Sequence, residues 1–291
     1  MKLLALRQVF QNEDINFLLT NRVPRVALTR FVGWFSKIRS PLLARASIAA
    51  WRLFTDLDLS DARQQRFESL HDCFTRELVD GAREVDTRAE IVASPSDAIV
   101  GACGKVVRGQ LFQAKGMPYA MRDLFGPGHD ITPFEGGIYV TLRLTSAMYH
   151  RFHAPQEGVL EHVSYLSGDC WNVNPIALKR VERLFCRNER ALLRMKLDSG
   201  HTLALVPVAA ILVASIRLHA LNVLLHLRWR GANEMPCNTR YDKGQEMGWF
   251  EHGSTIIVFA PPGFELAEGI ESGVRLRMGQ ALMRMPGDGQ G

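Results

Sequence analysis

The chain has 291 residues, 47% of them hydrophobic and 22% charged, which is enough apolar material for a buried core and rules out a disordered tail. The net charge of +5 suits an anionic membrane surface, a phosphorylated substrate or nucleic acid, and does not choose among them. Five cysteines, at 73, 103, 170, 186 and 237, form no CxxC, so neither a disulfide framework nor a metal site is indicated and a reducing compartment is expected.

Residues 1–7 hold no apolar run of signal-peptide length. Residues 1–60 differ in texture from the rest of the chain. From 15 to 55 there is no Asp or Glu, while Arg22, Arg25, Arg30, Lys37, Arg39, Arg45 and Arg52 alternate with large apolar residues such as Phe31, Trp34 and Trp51. Pro24 and Pro41 mark helix starts or breaks. The pattern predicts amphipathic helices. They either lie in a lipid interface or pack on the main core.

Residues 63–83 are expected to form a further helix that closes near Gly81. Beyond residue 91 the texture changes to short apolar runs punctuated by Gly, Pro, Asp and Asn. Residues 99–107, 138–144, 203–216, 221–229 and 255–259 read as strands. The run at 202–216 is shorter than the roughly 18 residues of a spanning helix and contains Pro207. The expected fold class is α+β: an N-terminal helical segment (1–60), membrane-associating if its helices lie in the lipid interface, then a β-rich body (61–291).

Three local features could carry chemistry. Asp97 closes Ser94-Pro95-Ser96-Asp97 just before a strand, where an Asp is ordinarily a turn residue. His150 and His153 stand three apart in Tyr149-His150-Arg151-Phe152-His153-Ala154-Pro155. Pro155 and the preceding strand argue against a helix, so the two rings are expected to point differently and to serve distinct roles, or to be ordinary loop histidines. Third, Lys243-Gly244-Gln245-Glu246-Met247-Gly248 leads to His252-Gly253-Ser254-Thr255 and straight into an apolar strand. Ile256 stands where a GxSxG nucleophile elbow needs Gly. Asp97, a histidine and Ser254 supply the ingredients of an acid–base–nucleophile set.

These pieces, in this order, resemble the phosphatidylserine decarboxylase family over most of the chain. Phe74-Thr75-Arg76-Glu77-Leu78 with Gly81-Ala82-Arg83, Gln113-Ala114-Lys115-Gly116, Asn172-Val173-Asn174-Pro175 and Cys186-Arg187-Asn188-Glu189-Arg190 match its intervening segments. The chain departs from the pattern at Ala98, where the family usually has Gly, at Ala209 and Ala214, where its members often have Gly, and at His252, where Leu is common. These exchanges bear on substrate and processing rate.

The resemblance implies self-cleavage between Gly253 and Ser254. His153, oriented by Asp97, would take the Ser254 proton, and Oγ would attack the Gly253 carbonyl. Elimination from the resulting ester would leave a dehydroalanine at 254, which water would hydrolyse, with loss of ammonia, to a covalent pyruvoyl cofactor on a 38-residue α chain (254–291) bound to a β chain (1–253). It further implies a Schiff base with phosphatidylserine, loss of CO2 to give phosphatidylethanolamine, and proton donation by His150. Implied partners are phosphatidylserine, an anionic membrane surface on the cytoplasmic face of the cell membrane and a second copy of the chain, with no nucleic acid and no metal. Alternatives are a pyruvoyl enzyme acting on a soluble amino acid or another serine-headed lipid, a serine hydrolase using Asp97, His153 and Ser254, and a non-enzymatic lipid-binding module.

Overall fold

The acid-free stretch forms helices in the computed structural model, which describes residues 13–212, 215–251 and 254–287. The first helix, Glu13–Asn21, opens on Glu13 and Asp14, which suit the positive end of its dipole. The second, Arg25–Ser36, starts directly after Pro24. The third, Pro41–Arg52, carries Pro41 in its first turn, where a missing N–H costs nothing, and Ser40 Oγ caps it by accepting from Leu43 N–H. Leu18, Phe31, Trp34, Leu42, Leu53 and Phe54 stay exposed on this unit, Trp34 at 65%. No described helix is long and apolar enough to cross a membrane.

The helix expected over residues 63–83 shrinks to Leu70–Phe74. Before and after it the chain is irregular: Ala62 bridges Leu78, and the Arg63 N–H donates to the Glu77 carbonyl. Phe67 and Cys73 are buried in a small cluster with Ile48 of the third helix and Leu57. That tertiary burial overrides the local helical propensity.

The body consists of strands β1 (Ile91–Ala93), β2 (Ala98–Lys105), β3 (Gln110–Ala114), β4 (Met117–Ala120), β5 (Ile138–Leu144), β6 (Arg151–His153), β7 (Gly158–Leu166) and β8 (Arg190–Leu197). They continue as β9 (Thr202–Ala209), β10 (Ser215–Leu218), β11 (Val223–His226), β12 (Glu234–Tyr241), β13 (Glu246–Phe250), β14 (Ser254–Ala260), β15 (Glu265–Leu266), β16 (Arg275–Leu276) and β17 (Ala281–Arg284). An eight-stranded sheet runs β12-β7-β8-β9-β14-β5-β2-β16, with antiparallel pairing throughout. A four-stranded sheet, β11-β10-β13-β6, carries two of the motifs singled out in the sequence.

β14 sits inside the large sheet and every one of its residues is buried. Ile256, Val258 and Ala260 enter one apolar cluster and Ile257 and Phe259 the other. A strand covered on both faces needs an unbroken apolar run, which is why its sequence is so legible. β5 matches its expected span, and β2 ends two residues early, at Lys105.

The single strand expected over 203–216 is two, β9 and β10. The chain turns between them at Leu212, whose φ of +91° is unusual for a residue with a side chain. The Leu212 N–H donates to Thr29 Oγ1 of the second helix, a partner that local sequence cannot reveal. The expected strand over 221–229 keeps only β11, of which Leu225 alone is fully buried. β7, β8, β12 and β13 lie outside the expected strands. Charged residues such as Glu161, Arg194, Lys196 and Glu246 interrupt their apolar runs.

β13 is tightly enclosed. It pairs with β10 on one side and β6 on the other. A Cβ at Gly248 would stand 1.9 Å from the Arg217 carbonyl oxygen and 3.1 Å from the Phe152 ring. Gly248→Ala should therefore lower unfolding stability by about 1–3 kcal/mol, the usual cost of forcing extra volume into a packed site. The measurement is the urea midpoint of purified protein, and an unchanged midpoint would mean that these strands approach less closely.

Candidate active site

Ser254 is the first residue of β14, opposite Leu144 of β5 and Ala209 of β9. It is fully buried, and its Oγ has no hydrogen-bond partner among the described residues. An uncommitted hydroxyl in a dry site is unusual, because buried polar atoms are normally paired. Gly253, the other half of the expected cleavage site, lies outside the described residues, as do His252 and Ala214.

The Lys243–Gly248 motif and the Tyr149–Pro155 motif, about a hundred residues apart, meet as β13 and β6. Glu246 is opposite His153 and Trp249 is opposite Arg151, with an Arg151–Glu246 ion pair at 2.9 Å. His153 Nδ1 lies 2.9 Å from the Gly244 carbonyl oxygen. A carbonyl only accepts, so Nδ1 carries the hydrogen and Nε2 is bare. Nε2 accepts from the Tyr149 hydroxyl at 3.0 Å. Burial lowers the His153 pKa, so the ring is neutral, and the Tyr149 phenol is pushed up by the same desolvation.

Asp97 precedes β2 and is 8% exposed. Arg83 grips it with two donors, Nε at 2.8 Å and Nη2 at 2.6 Å, and the Met278 N–H donates at 2.9 Å. Its turn is tied to β6 by a hydrogen bond from the His153 N–H to the Pro95 carbonyl. The sequence led us to expect that Asp97 orients His153. In the structure the hydrogen bonds that orient the ring come from Gly244 and Tyr149, and Asp97 acts on it through charge at longer range. Asp97, Arg76, Arg83, Tyr149 and Arg277 line a cavity of about 350 Å³ beside this group.

His150 is fully buried and separately held. Its Nδ1 donates to the Met148 carbonyl at 2.8 Å, its ring lies 4.1 Å from that of Phe74, and its Nε2 is unpartnered among the described residues. Burial pushes its pKa down to about 3, so the resting ring is neutral with a bare Nε2. The two histidines thus occupy different environments, as their spacing in a strand predicted. Neither is hydrogen-bonded to Ser254 Oγ.

Sequence reasoning missed Tyr149, Arg83 and Gly244 as participants. Each stood inside or beside a motif, but a Tyr at the end of an apolar run reads as core, and a carbonyl leaves no trace in the residue type. Other motif residues are braces. Gln113 bonds the Leu178 and Val181 carbonyls and the Leu184 N–H. Asn188 ties the Ala209 carbonyl, next to Ser254 in the sheet, to Trp171.

The second helix crosses the loops around this centre. Arg25 pairs with Asp169 at 2.6 Å and covers the Trp171 ring at 3.7 Å, while Lys37 pairs at 2.9 Å with buried Glu251.

The profile of the phosphatidylserine decarboxylase family matches residues 70–284. A protein named phosphatidylserine decarboxylase proenzyme from Brevibacillus brevis is 34% identical over 270 residues, covering 91% of this chain and 95% of the relative. Proteins of the same name from Shewanella sp. strain MR-4 and Shewanella putrefaciens are 34% and 33% identical over 285 residues, each covering 94% of this chain. With the profile spanning most of the chain and relatives above 30% identity along nearly its full length, this chain belongs to the phosphatidylserine decarboxylase family.

Proposed function

We propose that the chain is a proenzyme that cuts itself between Gly253 and Ser254 and then decarboxylates phosphatidylserine to phosphatidylethanolamine. The observation that carries this reading is Ser254 Oγ, buried and unpartnered among the described residues at the head of β14. Oxygen free of competing hydrogen bonds, in a water-excluded position, suits both attack on the preceding carbonyl and later departure by elimination. The proton of Ser254 needs a base, and His153 is neutral with Nε2 on the side away from its Gly244 anchor. Once Tyr149 releases it, Nε2 is free to accept. Asp97, held between Arg83 and the Met278 N–H, supplies a fixed negative charge that favours the imidazolium formed in that step.

A pyruvoyl group derived from Ser254 fits the site: it would lack the residue's nitrogen, and Thr255 to Phe259 stay paired to β5 and β9, so its position would survive loss of the bond to 253. Such a group supplies an electron sink for the leaving carboxylate. His150 does the proton work. Its bare Nε2 takes a proton from the substrate ammonium once the carboxylate and phosphodiester of the same substrate, close by in the dry site, raise its low resting basicity, and returns that proton to the substrate α carbon after CO2 departs, so the ring ends as it began.

The lipid reading also rests on the N-terminal helices, where Phe31, Trp34, Leu42, Leu53 and Phe54 are exposed next to Arg30, Arg45 and Arg52. Side chains of this kind insert into the headgroup region while arginines meet anionic lipids. They support peripheral attachment to the anionic cytoplasmic face of the membrane.

The first test is intact mass. Wild-type protein should give two chains of residues 1–253 and 254–291, and Ser254→Ala one chain of full length; cleavage of Ser254→Ala at this bond would refute the serine mechanism.

The histidines should separate. His153→Ala should slow maturation by about 10²–10⁴-fold, the range for a positioned base. His150→Ala should mature and yet release CO2 from labelled phosphatidylserine at least about 10²-fold more slowly. A single-chain His150→Ala would assign both rings to maturation.

Exchanging Phe31 and Trp34 together for Ser should weaken flotation with phosphatidylserine vesicles by about tenfold or more, since each removes roughly 1.5–3 kcal/mol of apolar insertion. Unchanged flotation would move the attachment face elsewhere.

A further inference from the structure

Four strands of the large sheet reach one end in a single row. Ser254 is opposite Ala209. The β8–β9 register, with Arg190 opposite Val208, sets Glu189 opposite Ala209, whose N–H donates to the Glu189 carbonyl at 2.8 Å. The β7–β8 register, with Leu166 opposite Arg190, brings Ser167 beside Glu189. Directly opposed residues of antiparallel strands project to the same face. Ser167, Glu189, Ala209 and Ser254 therefore share one face, and in the sheet Ala209 is the residue between Glu189 and Ser254.

Glu189 is 1% exposed. Its Oε1 accepts from the Gly168 N–H at 3.0 Å and from Ser167 Oγ at 3.2 Å. Its Oε2 is buried with no partner among the described residues. The surrounding charges are committed elsewhere. Arg190 directs its guanidinium to the carbonyls of Asp123, Leu124, Cys186 and Asn188. Asp169, whose carbonyl accepts the Glu189 N–H, turns its carboxylate to Arg25. Cys170, next along the same loop, faces Thr29. Burial raises the Glu189 pKa to about 7, with the Gly168 N–H and Arg190 opposing. Below that pH the carboxyl is neutral and Oε2 carries a hydrogen with no acceptor among the described residues.

We propose that Glu189 binds the substrate headgroup: Oε2–H donates a hydrogen bond to a phosphodiester oxygen of phospholipid lying across Ala209. The identity of the ligand rests on the function proposed above. The dimensions agree. Glu189 and Ser254 are two strands apart, about 10 Å at ordinary strand spacing. A headgroup attached at residue 254 through its nitrogen places phosphorus roughly 5–6 Å away by standard bond lengths, which leaves a side chain's reach to Glu189. A neutral acid donating to an anionic oxygen makes a strong hydrogen bond, whereas a carboxylate there would repel it. The donor is therefore present below about pH 7 and lost as pH rises through it.

The test is equilibrium binding, which needs no turnover. The probe is dihexanoylphosphatidylglycerol, which carries the phosphodiester and has no amine with which to react, titrated calorimetrically into purified protein at pH 6 and 8.5. Wild type should lose about 30-fold in affinity between these pH values, as expected for one group titrating near 7. Glu189→Gln keeps an acceptor toward Gly168 and a permanent donor at the other atom, so its affinity should be the same at both pH values; Glu189→Leu should bind weakly at both. A pH-independent wild type, or an equal fall in Glu189→Gln, would overturn the assignment, and the wild-type arm decides even if a variant fails to fold. Equal pH-dependent binding of inorganic phosphate without the lipid would overturn it too. Failure of CO2 release would count against the proposed function and not against this contact.

Discussion

The structure depends on one placement: the Ser254 hydroxyl heads a strand that is buried on both faces and paired on both edges. β14 is held by β5 and β9 and covered by two apolar clusters. Among the described residues, Ser254 Oγ has no hydrogen bond that would have to break in the proposed attack. The same pairing would keep the segment in place after the proposed cut at residue 253, since the ladder beyond residue 254 and the core contacts of β14 do not pass through that bond. A loop would hold the serine less rigidly and would flood it with solvent.

Burial also sets the electrostatics. His150 and His153 are both pushed toward the neutral form, and Glu189 is pushed toward the neutral acid, in each case chiefly by desolvation. The charge that is retained, on Asp97, is matched by two donors of Arg83. A centre of neutral proton carriers around one compensated carboxylate suits a substrate that brings its own charges, an ammonium, a carboxylate and a phosphodiester. Each can be answered by moving a proton without creating an unpaired ion in a dry site.

The N-terminal helices link the surface to this centre. Their outer faces show Phe31 and Trp34, while Arg25, Thr29 and Lys37 bond to Asp169, Leu212 and Glu251, in the loops bordering the strands of the candidate site. Glu251 is three residues before Ser254 and is also held by Ser215 Oγ. A helical unit with apolar side chains suited to lipid is thereby bonded to the loops that lead toward residue 254. The unit is thus packed on the β-rich body through these contacts.

Local pattern alone determined the strands at 138–144 and 255–259, the N-terminal helices and the α+β order, because period, apolar run and proline position are written in adjacent residues. Motif content likewise picked out Asp97, His150, His153 and Ser254. What adjacent residues do not contain is which groups meet. The turn at Leu212 is set by Thr29, the helix expected over 63–83 gives way to burial of Phe67 and Cys73, and His153 is oriented by a Gly244 carbonyl and by Tyr149. Glu189 was visible only as one residue of a matching segment; the register of β8 on β9 places it on the face of Ser254. Backbone acceptors, strand register and burial are long-range quantities, so the tertiary structure alone decides the protonation states and the partners on which the chemistry turns.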